Sequence, residues 1–374
     1  MSLPHARPRA RFALPLVHRA VHCAALCAVH CAVLGAVLVA PQAALATGEI
    51  LLIPNSGTDK IWAVSPVDGS IISQQFIPNT EGLLQQPIQA IASGTGTILV
   101  TDETRKSVYE YGANGAYIRT LASPKDGVVG AYSLCVRDGF VYFTSGFGAG
   151  DGNGAIYKVS LSGGPVTVFS SWSGGNPRGI HPFGKGFLVG DSVDDNLEIV
   201  DASGVVAPIP FHDSDGALSI DFPQQIKKLE PGQLIGSSWL VTGFSDPAGI
   251  YLFTDTGLSN GYYSPATSPR GCHPLPNGDI LFTGGTQIRK IDIVSGNSVI
   301  LFNGNSAHSF RFIDLYTPPA PCAADVNGSG GVDASDLAAL LAAWGTSNAT
   351  ADINGSGSVD ASDLAIVLAA WGPC

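Results

Sequence analysis

Ile98-Leu-Val-Thr-Asp102 decides the fold, because the phrase returns as Val141-Tyr-Phe-Thr-Ser145, Phe187-Leu-Val-Gly-Asp191, Leu240-Val-Thr-Gly243 and Ile280-Leu-Phe-Thr-Gly284. The returns are spaced by roughly 40 to 50 residues, the period at which four-stranded units repeat around a propeller. A second phrase trails each one: Val108-Tyr-Glu-Tyr, Ile156-Tyr-Lys-Val, Leu197-Glu-Ile-Val, Ile250-Tyr-Leu-Phe and Ile288-Arg-Lys-Ile. Turns such as Ala113-Asn-Gly115, Ser162-Gly-Gly164, Ala202-Ser-Gly204 and Val294-Ser-Gly296 close them. Apolar alternation bounded by Gly and Asn predicts antiparallel strands, and the count gives five complete four-stranded blades.

The two ends supply a sixth. Glu49-Ile-Leu-Leu-Ile53, Lys60-Ile-Trp-Ala-Val64 and the run from Ile71 to Ile77 are three strands lacking a first, and His308-Ser-Phe-Arg-Phe-Ile-Asp-Leu315 is a first strand lacking successors. Pairing them closes the ring and removes the exposed edges that make open sheets prone to aggregate. The expected fold class is therefore mainly β, a six-bladed propeller over 47–317, with a Pro-rich linker at 318–324 and a small helical module at 325–374.

That module is a duplication. Asp325-Val-Asn-Gly-Ser-Gly-Gly-Val-Asp-Ala-Ser-Asp336 precedes one apolar helical run, and Asp352-Ile-Asn-Gly-Ser-Gly-Ser-Val-Asp-Ala-Ser-Asp363 precedes another. Each copy spaces its oxygens as a twelve-residue calcium loop does, with side chains at positions 1, 3, 5, 9 and 12, a carbonyl at 7 and Gly at 6. The first loop offers Asp325, Asn327, Ser329, Gly331 (carbonyl), Asp333 and Asp336. The second offers Asp352, Asn354, Ser356, Ser358 (carbonyl), Asp360 and Asp363. Two Ca2+ ions are expected. Ser at position 5 and Asp rather than Glu at 12 weaken each site, so the affinity expected is on the order of 10⁻⁵ to 10⁻³ M. Six Asp with no Lys or Arg between 318 and 374 predict a module that folds only when cations neutralise it.

A calcium loop with one following helix, written twice, resembles the dockerin type I module. The resemblance implies a calcium-dependent partner, a cohesin or another envelope protein, met through loop positions 10 and 11. Those are Ala334 and Ser335 in one copy and Ala361 and Ser362 in the other, identical and so able to dock in two orientations. The basic residues that often follow on the dockerin helix are replaced by Leu337, Ala338, Ala339, Leu340, Leu341 and Trp344.

Charge and cysteines bound the rest. The formal charge is −11, and setting aside residues 1–46 leaves 15 basic against 30 acidic side chains, which excludes a nucleic-acid partner. Residues 1–46 read as a signal peptide: Arg7, Arg9, Arg11 and Arg19, an apolar run from Val21 to Ala40, then Ala44-Leu-Ala46. A retained anchor is the alternative, the run being about long enough to span a membrane. Secretion to an extracellular or cell-surface site, with no stable membrane span after cleavage, is expected. Cys322 and Cys374 bracket the module and are expected to pair in an oxidising compartment, whereas Cys135 and Cys272 sit in strands and are expected buried and reduced.

Around the axis, Pro177-Arg178-Gly-Ile-His181 matches Pro269-Arg270-Gly-Cys-His273, and Pro223-Gln224-Gln225-Ile226 falls in line. The expected tunnel ring is Gln89, Tyr132, Arg178, Gln224, Arg270 and His308, polar and without a carboxylate. Such a ring suits a small anionic or sugar-like ligand. His181 and His273 lie further along their strands and are expected packed within the blades. The blade pattern resembles the NHL, strictosidine-synthase-like and lactonase propellers, whose members bind ligands or do chemistry at the tunnel mouth. Neither a Gly-x-Ser-x-Gly elbow nor a phosphate loop is present. The reading is a non-catalytic binding or scaffold protein tethered by its tail, and the rival is a lyase or lactone hydrolase working at the tunnel.

Overall fold

The computed structural model describes residues 48–146, 153–214, 219–234, 236–265, 267–319 and 322–373. The expected signal segment 1–46 and Cys374, hence the expected Cys322–Cys374 pairing, lie outside the described residues. Among them no helix is long and apolar enough to cross a membrane.

The first blade holds β1 (Ile50–Asn55), β2 (Lys60–Val64) and β3 (Ile71–Ile77); the second holds β4 (Pro87–Ala92), β5 (Ile98–Asp102), β6 (Ser107–Tyr111) and β7 (Tyr117–Ala122). Blade three is β8 (Leu134–Arg137), β9 (Phe140–Ser145), β10 (Asn153–Ser160) and β11 (Thr167–Ser173), and blade four is β12 (Pro177–Phe183), β13 (Gly186–Asp191) and β14 (Leu197–Val200). Blade five is β15 (Pro223–Lys228), β16 (Trp239–Gly243), β17 (Gly249–Phe253) and β18 (Ser259–Tyr263), and blade six is β19 (Pro269–Pro274), β20 (Ile280–Gly284), β21 (Gln287–Ile291) and β22 (Ser298–Asn303). The chain then returns to blade one, where β23 (Asp314–Tyr316) pairs with β1, so both ends of the propeller share one sheet.

Two details differ from the sequence expectation. Blade four has three strands, and its outer edge is reduced to the single bridges Leu197–His212 and Val200–Val206. Pro208 and Pro210 interrupt that segment, and without their N–H groups a ladder cannot form. The closing strand also begins later than His308: an isolated bridge joins Asn55 to Phe310, and regular pairing starts only at Asp314.

Apolar side chains cluster between neighbouring blades all round the ring. Leu52, Ala90 and Tyr111 join blades one and two, Leu99 and Phe143 two and three, Ile156 and Val189 three and four. Leu188 and Trp239 then join four and five, Leu240 and Phe282 five and six, and Leu281 and Trp62 six and one. The recurring Thr of the opening phrase adds a polar clamp. Thr101, Thr144, Thr242 and Thr283 each accept the N–H of an inner-strand residue in their own blade (Gln89, Ser133, Gln225 and Gly271) at 2.9–3.2 Å. Each hydroxyl then donates to the next blade, to the carbonyls of Tyr132, Arg178, Arg270 and Arg311 at 2.5–2.8 Å. A net hydrogen bond is worth about 1 kcal/mol, and here it also fixes the angular register of the ring. Blade four has Gly190 at this place, and a Cβ there would lie 3.0 Å from Pro223 Cβ.

The tail forms α1 (Ala334–Ala342) and α2 (Ala361–Ala369). Each begins in a capping box: Asp333 and Asp360 accept the N–H of Ser335 and Ser362, while Asp336 and Asp363 reach back to the cap N–H. Val332, Leu340, Val359 and Val367 form the core between the copies. Each loop's Val pairs with the end of the other helix. Gly331–Val332 (β24) meets Gly372–Pro373 (β25), and Val359 bonds with Gly345 and Thr346. The chain end thus returns to the first loop. That loop also touches the second blade, where Asn114 Nδ2 donates to the Gly328 carbonyl at 3.2 Å.

Candidate functional site

The Thr clamps supply a ruler for the axis, because each marks the same two inner-strand places. The carbonyl acceptors Tyr132, Arg178, Arg270 and Arg311 are equivalent, and the matching Pro87 and Pro223 starts add Ile88 and Gln224. Four of the six expected ring residues are therefore in register: Tyr132, Arg178, Gln224 and Arg270. Gln89 is one place further on, its N–H held by Thr101 as Ser133, Gln225 and Gly271 are held by theirs. His308 is not on the axis. It sits in the turn before the closing strand, bonded to Asn305, and packs edge-on against Trp62 in β2, with ring centroids 5.8 Å apart. Arg311 takes the place expected for it. The shift arises because Phe310 and Ile313, the buried apolar pair, align with Pro177 and Ile180, three residues later than a strand starting at His308 would require.

The middle of the axis is plugged. Tyr132 OH donates to Gln224 Oε1 at 2.5 Å from blade three to blade five, and its ring meets Phe312 edge-on at 5.7 Å, with Ile88 completing a buried apolar trio. Gln89 and Gln225 brace the next layer. Gln89 accepts from Ser133 Oγ and Leu134 N, and Gln225 accepts from Cys272 N and Ile313 N. Both amides donate to Asp314, at 2.9 and 3.1 Å. Two separate mouths remain.

At one mouth a cavity of about 290 Å³ is bounded by Glu103, Lys106, Tyr132, Gly146 and Arg178. Arg178 lies over the Tyr132 ring at 4.4 Å and the Phe222 ring at 5.3 Å, and its Nη1 is 3.4 Å from Glu103. Arg270 lies over Phe244 at 4.1 Å. Arg311 is nearly enclosed, its Nε bonded to Ser56 Oγ. Burial, followed by the charges of Arg270 and Arg178, lowers the pKa of Arg311.

At the opposite mouth a cavity of about 410 Å³ holds His181, Lys227, Glu230, His273 and Asp314. Lys227 Nζ pairs with Asp314 at 2.9 Å, and with both amides this leaves Asp314 fully engaged. The ring was expected to lack carboxylates; Glu103 and Asp314 place one at each mouth. Burial lowers His181 and, far more, His273, whose Nδ1 has no partner among the described residues. Both imidazoles are therefore neutral near pH 7. No group of three or more His, Cys, Asp or Glu side chains comes together as a metal site among the described residues. Cys135 and Cys272 are buried free thiols, as expected, and burial raises both, Cys272 to about 12.

The two twelve-residue loops are near-copies. Asp325 accepts from Ser329 N and Gly330 N, and Asp352 from Ser356 N and Gly357 N, at 2.7–2.9 Å, so the position-1 carboxylates face inward. Asn327 and Asn354 each accept the same Ser N–H at 2.8 Å. Ser329 Oγ lies 3.2 Å from the Gly331 carbonyl and Ser356 Oγ 3.1 Å from the Ser358 carbonyl, which brings positions 5 and 7 together. Asp336 and Asp363 are buried and accept from Asn327 N and Asn354 N. The Asp360 N–H first, and then the Asn354 N–H, hold the Asp363 carboxyl below its usual range. Asp333 and Asp360 are turned toward their helix caps. The donors gathered in each loop are hard oxygens of mixed type, which fits a calcium ion drawing in positions 1, 3, 5, 7 and 12. Ala334, Ser335, Ala361 and Ser362 are exposed at the helix starts.

Comparison with known proteins agrees with this division. Residues 323–370 match the dockerin type I domain, a calcium-binding module whose partners are cohesins. The propeller is similar in fold to a chain in the crystal structure of a nidogen/laminin complex (14% identity, TM-score 0.56, covering 73% of this chain and 100% of that one). It is likewise similar to a protein of unknown function from Bacteroides caccae (16% identity, TM-score 0.51, 71% and 98% covered). A streptogramin B lyase structure aligns more loosely, at 20% identity and a TM-score of 0.42 over 63% of this chain and 70% of that one. A search of curated protein sequences finds no match. The chain thus carries a dockerin type I domain on a six-bladed propeller.

Proposed function

We propose that the chain is a secreted, non-catalytic binding propeller, fastened to a cell-surface or extracellular assembly by a dockerin module that holds two calcium ions. One observation carries this reading. Ala334, Ser335, Ala338 and Leu341 of α1, and Ala361, Ser362, Ala365 and Leu368 of α2, are equivalent, exposed and uncharged. Leu341 and Leu368 are 51% and 54% exposed although the module has an apolar core to receive such side chains. An exposed apolar stripe repeated on both copies suits a partner that meets either helix, and small residues at the loop end allow close approach. Closure of the module by a Cys322–Cys374 disulfide would suit the same compartment.

Support for a non-catalytic propeller comes from the axis. Asp314 is consumed in holding Lys227, Gln89 and Gln225, which leaves it engaged rather than free for acid–base work. Polysaccharide-related or other small ligands of the propeller belong to the same reading. The test is binding of the secreted chain to an immobilised cohesin domain in calcium and in EGTA. Binding in calcium that vanishes with chelator is expected, and equal binding in both sinks the reading. Leu341→Arg and Leu368→Arg singly should weaken binding little, whereas the double variant should abolish it.

A further inference from the structure

We propose that the arginine-lined mouth of the propeller is a binding site for a small organic dianion of the dicarboxylate class. This takes up the propeller ligand of the preceding reading, gives it a place and a charge, and is independent of the tether.

Three successive observations lead there. Arg178, Arg270 and Arg311 occupy the same inner-strand place in blades four, six and one, so their side chains leave the sheet at one level. The five ion pairs of the described residues include one of the three, Arg178 with Glu103 at a loose 3.4 Å. Among the described residues these three guanidinium groups meet one carboxylate, which leaves two positive charges uncompensated there, and exposed Lys106 at the rim adds to them.

Next, polar groups at this level are buried and idle. Gln224 is fully buried, and its Nε2 has no partner among the described residues although its Oε1 is held by Tyr132. Arg178 Nε is likewise buried without a partner. Leaving a buried donor unsatisfied costs about 1–3 kcal/mol, so two donors at one level are a strong demand for acceptor oxygens.

Finally, two of the guanidinium groups lie over aromatic rings, Arg178 over Tyr132 and Phe222, Arg270 over Phe244. Stacking restrains the plane and leaves the N–H edges to make paired bonds with a carboxylate. Two carboxylates on a short carbon chain match the two uncompensated charges, and beside Arg178 opens a cavity of about 290 Å³, lined also by Lys106 and Glu103, whose size suits a small molecule and no polymer segment.

Titration calorimetry on the calcium-saturated full-length secreted chain, with succinate as the probe, tests the assignment. Saturable binding with one site per chain is expected, together with at least tenfold weaker binding of the neutral diamide succinamide and of the monoanion acetate. Arg270 is the residue to change, because among the described residues its guanidinium makes no ion pair and lies over one ring, that of Phe244. Arg270→Gln should lower succinate affinity tenfold or more while the melting temperature without ligand stays put. Arg270→Lys should fall between the two, since charge remains and the fork is lost. Absence of saturable succinate binding, equal binding of succinamide, or unchanged affinity in Arg270→Gln would each overturn the proposal. Saturation by inorganic phosphate alone would also overturn it, by assigning the mouth to another class of anion. Calcium-dependent cohesin binding by the same preparation reports on the tether separately, so the two readings can fail independently.

Discussion

The propeller and the tail solve the same problem of a small core by opposite means. Around the ring, every blade seals its apolar face against the next, and neutral threonine hydroxyls lock four of the joints. At one mouth Asp314 is met by two amides and by Lys227. In the tail, six Asp stand with no Lys or Arg, and the apolar core rests on a handful of side chains such as Val332, Leu340, Val359 and Val367. A sheet ring closed on itself needs nothing from outside, whereas a loop built from inward carboxylates is incomplete until a cation arrives. The contrast means that solution conditions should act on the two regions separately.

The largest separation should come from removing the first ligand of both loops. Asp325→Ala with Asp352→Ala is expected to abolish the calcium-induced helical signal in far-UV circular dichroism while the propeller's β signal and near-UV spectrum persist. Loss of both spectra would show that the regions are one folding unit. Within the propeller, Asp314→Ala should be the most damaging single change, because it strands the partly buried Lys227 and two amide donors. A loss of roughly 3 kcal/mol is expected from breaking a buried ion pair, read as a lower urea midpoint with an unchanged slope.

Acid should separate the regions in a second way. His273, His181 and His212 are held below their usual range by burial, so the folded propeller binds fewer protons than its unfolded chain as pH falls below about 6.5. Their stabilising contribution is present above that pH and is lost below it. The propeller's melting temperature should therefore fall between pH 6.5 and 5, and His273→Gln should flatten that fall; an unchanged slope in the variant counts against the assignment. The smallest effect is expected at a single clamp. Thr283→Val removes the hydroxyl that joins Gly271 to Arg311 and should cost about 1–2 kcal/mol, whereas Thr254→Val, in an exposed turn, should cost much less.

Both regions were legible in the sequence for the same reason, repetition. The phrase containing Thr101, Thr144, Thr242 and Thr283 marked the blades, and its Thr proved to be the joint between them. Two loops in one register marked the calcium module. Legibility failed where repetition was broken. The closing strand carries no Pro start, so the sequence pattern puts His308 on the axis where Arg311 stands, although Phe310 and Ile313 carry the apolar spacing of the actual register. Pro87, aligned with Pro177 and Pro223, marks Ile88 rather than Gln89 as the axial residue of its blade. The blocked axis had no local signature at all, because Tyr132, Gln224 and Phe312 meet from three different blades and only closure of the ring brings them together.

Differential scanning calorimetry of the secreted chain, in millimolar calcium and again in excess EGTA, tests the central contrast most directly. Two transitions are expected in calcium, and chelation should lower the tail's transition by 20 °C or more, on the order expected for a module whose metal binding is its folding energy, while the propeller's stays within about 2 °C. Two transitions that ignore chelator, or that move together, would contradict the account.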